Sequence, residues 1–403
     1  MASSIAREIP NDFGAHGSEC RKESRVPLRF VFLTNFIPPY WKPVLEQLSA
    51  RYGQLRVLVS TEMEPDRKWA IDWQGLDVVR QRTITLQHVQ RHPRRFRDTT
   101  FVHFPVDTLS QLWKFRPDVV LSAEMGFRSL LAAVYRRLRP ASRLIVFADV
   151  SEHSEAGRGW MRFFMRRTLR RGIDAFLVTG ESGARYVRRL GVEESRIFKV
   201  PYATAINKCC AAPIRAVGES ERRLLYVGQL IERKGLLPFV ACLVNWLEAN
   251  AHAAVELTVA GDGPLRGKLE QIKASANLQI KLLGDVPYEA VRNVYARADI
   301  FVFPTLADTW GIAVSEAMAA GLPVLGSLYS QAVEELVEDG RNGWVFRADD
   351  AGEMYGAIAR SMNTSREALQ QMGECARNIA LQLTPERVAG LIDSVLQQVA
   401  KVR

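Results

Sequence analysis

Two stretches of the chain alternate short, nearly unbroken apolar runs with longer segments of helical spacing. In the first stretch the apolar runs are Leu28–Thr34, Leu55–Thr61, Pro117–Ala123, Arg143–Asp149 and Asp174–Thr179. Phe127–Arg137 and Ser182–Leu190 carry helical patterns between or after them. In the second stretch the runs are Arg223–Gly228, Val255–Gly261, Ile280–Gly284, Asp299–Pro304 and Pro323–Ser327. Here Leu236–Glu248, Leu265–Ala276, Tyr288–Ala298 and Ile312–Ala320 are the predicted helices. Strands buried on both faces of a parallel sheet read as continuous apolar runs of this kind. The alternation, met twice, predicts two doubly wound α/β domains. The pattern lapses over Pro201–Pro213, so the expected domains are 27–205 and 206–382, with a further helix over Pro385–Val402. Residues 1–26 are polar, contain Pro10, Gly14 and Gly17, and lack a signal peptide's apolar core, so they predict a loose tail.

Composition narrows the classes. The chain has 403 residues, 47% of them hydrophobic, enough for two ordinary cores. No apolar run is long enough to span a membrane. The five cysteines (Cys20, Cys209, Cys210, Cys242 and Cys375) show neither paired nor metal-ligand spacing, which predicts reduced thiols in a cytoplasmic protein. The net charge of +10 is unevenly held: 0 over 1–26, +13 over 27–205 and −3 over 206–403. Only the first half is expected to meet an anionic surface.

In open α/β sheets, ligands gather at the loops that follow the carboxyl ends of the strands. Four such loops in the second half stand out. Gly228-Gln229-Leu230-Ile231-Glu232-Arg233-Lys234-Gly235 offers two glycines and a lysine able to reach a phosphate, or else is a glycine-punctuated turn with solvated cations. Gly261-Asp262-Gly263-Pro264 and Gly284-Asp285-Val286-Pro287 read mainly as turn chemistry. The fourth runs from Pro304 through Asp308 to Gly311, where a helix of small and apolar residues begins. Bare amides at such a helix start are a ready diphosphate site. Glu316 lies in that helix, where a buried carboxylate must be satisfied by hydroxyls or cations. A donor's ribose would do so, and so would a structural arginine.

These residues resemble the donor domain of glycosyltransferase family 4, the retaining enzymes of the GT-B fold. The family's E-x7-E is matched by Asp308-x7-Glu316, and E-A-M-A-x-G-x-P-V by Glu316 to Val324. Its phosphate loop is matched by Gly228 to Gly235, and G-D-G-P and the D-I-F-V-F-P strand are also present. The resemblance implies two Rossmann-like domains facing each other across a cleft, the first taking the acceptor and the second a nucleotide-sugar. It also implies that the C-terminal helix crosses back onto the first domain. Lys234 would neutralise the donor diphosphate, Glu316 would hold the ribose, and Asp308 would contact the transferred sugar. Gly228 and the amides of Gly311, Ile312, Ala313 and Val314 would complete the cradle. Gln229 stands where the family has Arg, and Asp308 where it has Glu. Arg233 or an arginine of the first domain is expected to supply the missing cation.

No D-x-D sequence sits in a suitable loop, so Lys234 and helix amides are expected in place of a metal, with no cofactor beyond the donor. The candidate for orienting the acceptor is His153, after the Arg143–Asp149 strand, with Glu124 ranked below it. Residues 158–171 hold six arginines and no acid. At 100° per residue Trp160, Met161, Phe164, Met165 and Leu169 share one arc, while Arg162, Arg166, Arg167 and Arg170 share the other. Such a helix suits the anionic inner face of the cytoplasmic membrane, with Arg91–Arg97 adding charge. The competing reading is a core-packing helix with a solvated outer face. Membrane contact would imply a lipid-linked saccharide acceptor from surface polysaccharide assembly. Two other readings are a non-catalytic partner subunit, prompted by Gln229, and a basic nucleic-acid binder, for which no recognisable module exists.

Overall fold

The computed structural model describes residues 28–67, 69–204, 221–272 and 277–401. The expected tail, most of the expected linker and Cys20, Cys209 and Cys210 lie outside the described residues. Cys242 and Cys375 are free thiols.

The first sheet has seven strands in the order β3-β2-β1-β6-β7-β8-β9, all parallel. They are β1 (Arg29–Thr34), β2 (Gln54–Val59), β3 (Asp77–Arg80), β6 (Val119–Ala123), β7 (Arg143–Ala148), β8 (Ala175–Val178) and β9 (Ile197–Lys199). Alternate residues of β1 enter opposite layers, as the period of a strand requires. Phe30 and Phe32 join one apolar cluster, while Val31 and Leu33 join another. Between β3 and β6 the chain makes an antiparallel hairpin outside this sheet, β4 (Thr83–Arg91) with β5 (Arg97–Pro105). Its strands mix polar and apolar residues and most of β4 is exposed, so no continuous apolar run announced it. The second sheet has six parallel strands, β12-β11-β10-β13-β14-β15. They are β10 (Glu221–Val227), β11 (Ala254–Ala260), β12 (Leu278–Gly284), β13 (Ile300–Phe303), β14 (Val324–Ser327) and β15 (Gly343–Phe346). The helix expected over Leu265–Ala276 is helical only at Arg266–Glu270, and 273–276 lie outside the described residues.

In each sheet the chain builds outward from one central strand, then returns to that strand's other side. β1 is followed by β2 and β3, and β6 comes back beside it; β10 is followed by β11 and β12, and β13 comes back. The loops after β1 and β6, and after β10 and β13, therefore diverge and leave a crevice between them.

One apolar cluster joins the two halves. It contains Phe147 and Tyr202 from the first, Trp310 and Phe303 from the second, and Val388, Ile392 and Val395 of the helix Pro385–Lys401. That helix packs on helix Lys42–Tyr52 of the first half. There the buried carboxylate of Asp393 accepts hydrogen bonds from the Tyr52 hydroxyl and from Arg51, the latter at 3.4 Å. Among the described residues no helix is long and apolar enough to cross a membrane.

Candidate active site in the interdomain cleft

The second crevice assembles the motif residues. Gly235 ends the first loop in the left-handed region, at φ 68°, and a Cβ there would run into the carbonyl oxygen of Pro304. The close approach sets the loop after β10 against the loop after β13. As a result the Lys234 ammonium lies 2.5 Å from Asp308 Oδ2. Arg233 Nη1 is 3.6 Å from the other oxygen of the same carboxylate and donates to the Ala307 carbonyl at 3.0 Å. Burial pushes the Lys234 ammonium down to about 8, although Asp308 acts to raise it. Burial alone would raise Asp308, but Lys234 and Arg233 outweigh it and hold that carboxylate below its usual range. Both partners are thus ionised at neutral pH.

Gly311 caps the helix Ile312–Ala319 from the left-handed region, at φ 108°. A Cβ there would lie 2.8 Å from both the Phe303 ring and the Ser330 hydroxyl, so the position takes glycine. No side chain caps this helix start. The first-turn amides of Ile312 and Ala313 have no acceptor within the helix and face the crevice end of β13. Val314 donates back to the Gly311 carbonyl at 2.9 Å.

Glu316 is buried, and where a structural arginine was the alternative it meets two tyrosines. The hydroxyls of Tyr288 and Tyr295 each donate to one of its oxygens at 3.0 Å. Burial raises its pKa to about 7, and the two tyrosines offset only part of that. Tyr288 is half-buried, whereas Tyr295 is fully buried. Gln229 reaches across to the first domain, donating to the Asp66 carboxylate at 3.1 Å and to its carbonyl at 3.0 Å. The guanidinium that comes with this loop is Arg67, whose positive charge acts on both Lys234 and Asp308.

The first crevice holds different chemistry. Arg128, almost wholly buried, donates to Asn35 after β1 and to Ser60 after β2, the latter at 2.6 Å. Its other arm lies 3.6 Å from Glu124 after β6. Glu124 itself is held at φ 64°, an unfavourable backbone for a residue with a Cβ. After β7, Asp149 lies beside Thr309 and Tyr202, whose hydroxyls favour its ionised form, and its Oδ1 has no hydrogen-bond partner. Burial, with Asp308 and Glu124 nearby, raises Asp149 to about 6.

The domains meet directly over Asp308. Ser151 donates to the Asp308 carbonyl at 3.0 Å, and Thr179 to that of Thr309 at 3.3 Å. The Gln331 amide bridges Val150 and Thr179 at 2.9 Å each. His153 lies farther along the seam. Its ring packs on Tyr329, 4.7 Å between centroids, and its Nδ1 is 3.3 Å from Arg94. Burial and the Arg94 charge lower it to about 4, so it is neutral. Among the groups that face Asp308 and Thr309 from the first domain are Ser151, Thr179 and Asp149.

Two expectations about basic residues change. Arg94 is not free surface charge: it pairs with Asp349 at 3.2 Å, donates to the Leu306 carbonyl at 3.3 Å and stacks 3.6 Å over the Tyr329 ring. Helix Trp160–Leu169 turns most of its apolar arc outward, with Leu169 alone of that arc in the core. Trp160, Met161, Phe164 and Met165 are 81%, 72%, 63% and 46% exposed, while Arg166 of the polar arc is buried. Arg166 pairs with Glu155 at 2.6 Å and donates to the Tyr186 hydroxyl at 2.9 Å.

Sequence reasoning passed over Arg67, Arg94, Asp149 and the two tyrosines on Glu316. Asp149 alone had a readable signal, since it ends an apolar strand where such sheets place ligand-facing groups. Among the described residues no three His, Cys, Asp or Glu side chains converge as a metal site requires.

This arrangement is that of GT-B glycosyltransferases. Residues 221–364 match the family model of the group 1 glycosyl transferases, and residues 37–203 match the glycosyl transferase 4-like domain. Both halves of the chain are thereby glycosyl transferase domains. Among curated proteins, the amylovoran biosynthesis glycosyltransferase AmsK of Erwinia amylovora is 33% identical over 43% of this chain and 41% of its own length. The colanic acid biosynthesis glycosyltransferase WcaL of Salmonella typhimurium, itself so named only putatively, is 25% identical over 68% of this chain and 66% of its own length. These alignments thus span from about two fifths to just under two thirds of the relatives. Among solved structures, Anabaena HepE in complex with UDP-glucose superposes with a TM-score of 0.68 at 13% identity, covering 92% of this chain and all of that one. At that identity the likeness establishes the fold.

Proposed function

We propose that the protein transfers a hexosyl group from a nucleoside-diphosphate sugar to a lipid-linked saccharide, as a step in surface polysaccharide assembly. The observation that carries the reading is the Lys234–Asp308 pair set beside the uncapped helix start at Gly311, in the crevice of the second sheet. A cation, bare amides and a helix dipole converge where a diphosphate leaving group would need charge stabilisation. The polysaccharide relatives and the nucleotide-sugar complex of HepE support the donor and pathway classes.

In this reading Lys234, Arg233 and the amides of Gly311 to Val314 hold the diphosphate, with Gly228 and Gln229 lining the same loop. Asp308 exchanges its pairing with Lys234 for hydroxyls of the transferred sugar. Glu316 takes the ribose through the side on which Tyr288 reaches the surface. The C1–phosphate oxygen bond breaks, and a bond from C1 to the acceptor oxygen forms on the same face, retaining configuration. The acceptor proton passes to the departing phosphate oxygen. Asp149, whose buried Oδ1 has no partner, orients the acceptor hydroxyl, in preference to the neutral His153. No protein-bound metal enters the scheme, because fixed cations and amides supply the positive field.

The outward apolar arc of helix Trp160–Leu169 would enter the headgroup region of an anionic inner leaflet, beside the exposed Arg167 and Arg171. A thermal-shift screen of UDP, GDP, ADP and TDP and their sugar conjugates tests the donor site. One nucleotide family should raise the melting temperature of the wild type and not of Glu316→Ala. No shift with any of them would remove the donor assignment.

A further inference from the structure

We infer that the acceptor's hydrocarbon chain lies in an apolar groove of the first domain that opens directly onto the Asp308 site. The inference rests on the lipid-linked acceptor proposed above and gives that chain a seat. A single cavity of about 1070 Å³ runs from Asp308, Thr309 and Arg233 outward between three elements of the first domain. Its walls are helix Phe127–Leu138 and helix Trp160–Leu169, and the strand Arg97–Pro105 completes it. That volume is at the top of the roughly 300–1,000 Å³ of small-ligand pockets, more than one sugar residue requires.

The groove joins charged and apolar surfaces. Asp308 and Arg233 bring the charged groups of the cleft into it. Arg158, Arg162 and Arg166 all pair with the single carboxylate of Glu155, at 4.0, 3.1 and 2.6 Å. Three guanidiniums on one acid leave that stretch cationic, even with Asp98 at 3.1 Å from Arg158. The lining also holds apolar side chains that are exposed: Leu130, Val134 and Leu138 of one helix and Phe164 and Met165 of the other. Exposed aliphatic side chains spaced 130, 134 and 138 form one stripe along a helix, and here the stripe faces a groove without a protein partner.

A lipid-linked saccharide phosphate offers a partner to each of these surfaces: the sugar to Asp308 and Thr309, the phosphate to the arginines and the hydrocarbon chain to the exposed apolar side chains. A soluble glycan would leave the exposed apolar side chains in water, and a neutral peptide would offer nothing to the positive charge that Glu155 and Asp98 leave on the three arginines. Continuity with Asp308 and Thr309 assigns the groove to the acceptor, because the donor enters from the other domain's loops.

The test uses the full chain and a series of alkyl phosphates from octyl to tetradecyl, each below its micelle-forming concentration, with inorganic phosphate as the chainless control. Affinity in the wild type should rise about two- to fourfold per added methylene. Leu130→Glu with Leu138→Glu should lower tetradecyl phosphate affinity by at least tenfold, with the nucleotide-induced thermal shift retained as evidence of folding and of the donor site. Both positions are exposed, so these changes leave the core intact. If the wild type binds the long chains and the double variant binds them equally well, the chain sits elsewhere and the groove assignment fails, while the lipid-linked reading stands. If no alkyl phosphate binds at any length, both fail together. If inorganic phosphate matches the long chains, the arginines bind an anion alone and the groove assignment is overturned.

Discussion

The two crevices occupy the same place in the same topology, yet they are built from opposite materials. After β10 and β13 the loops are glycine-rich, and their charges pair across a few ångströms, Lys234 on Asp308. After β1 and β6 the one strong charge, Arg128, is sealed under the loops, where it ties Asn35, Ser60 and Glu124 together. A diphosphate presents the same shape to every protein that holds it, so its site calls for backbone amides and glycine at fixed spacing. An acceptor differs from one enzyme to the next, and its crevice is a rigid wall onto which individual side chains such as Asp149 are fitted. The comparison therefore predicts that damage to the second crevice appears in chemistry, and damage to the first appears in stability and acceptor use.

The largest effect should come from Lys234→Ala. Removing a preformed donor to the leaving phosphate should lower kcat for sugar transfer by about 10²–10³-fold, or roughly 3–4 kcal/mol. Arg128→Met should instead leave kcat near wild type and lower stability by about 3 kcal/mol, since it strands buried polar partners. Steady-state kinetics together with urea midpoints separate the two. Equal losses of kcat in both variants would break the comparison.

Glu316 offers a titration within the donor half. Its pKa is raised from 4.5 to about 7, so the folded state binds the proton more tightly than the unfolded chain. The stability this contributes is full below pH 4.5 and is lost as pH rises through 7. Glu316→Gln should remove that part of the slope, at most about 3 kcal/mol between the two limits, and urea midpoints across this range read it. The same slope in wild type and variant would mean that the carboxylate is not the buried, tyrosine-held group described here.

Asp149→Asn probes the acceptor side. The wild-type carboxylate is raised from 3.8 to about 6, so it is ionised at neutral pH and becomes protonated as pH falls through 6. If it orients the acceptor, kcat/KM should show an acid limb near pH 6. The variant should lose the limb and about 10²-fold in rate at pH 7.5. An unchanged limb would return the role to another group of the cleft.

The sequence made the donor half legible because its constraints are local. Gly235 and Gly311 each sit where a Cβ would collide, and Lys234, Asp308 and Glu316 hold fixed spacings around them. The alternating apolar runs likewise announced ten of the strands. The β4–β5 hairpin escaped because its strands mix polar and apolar residues without a continuous apolar run and pair only with each other. Arg94 read as surface charge because nothing in its neighbours shows that Asp349 and Tyr329 lie opposite, more than 200 residues away. The inverted helix is instructive for the same reason. Periodicity placed Trp160 and Phe164 on one arc, but only the packing of Arg166 on Glu155 decides which arc faces out.

The smallest effect sharpens the comparison most finely. Gln229 sits where a second cation would flank the diphosphate, and its amide instead holds Asp66 across the cleft at 3.1 Å. Gln229→Arg would keep a donor for Asp66 and add a positive charge to the phosphate loop. Solvent reaches this half-buried position and screens its charge, so the gain should be only about 0.5–1 kcal/mol, a two- to fivefold tighter nucleoside diphosphate. Calorimetric titration at low and high salt checks it, because a charge effect at the surface shrinks as ionic strength rises. The alternative outcome has its own meaning. If the arginine pairs wholly with Asp66, affinity stays constant while the cleft is held more firmly shut, and slower release of nucleotide rather than tighter equilibrium binding would reveal it. Either result shows whether this loop acts on the donor's phosphates or on the closure of one domain over the other.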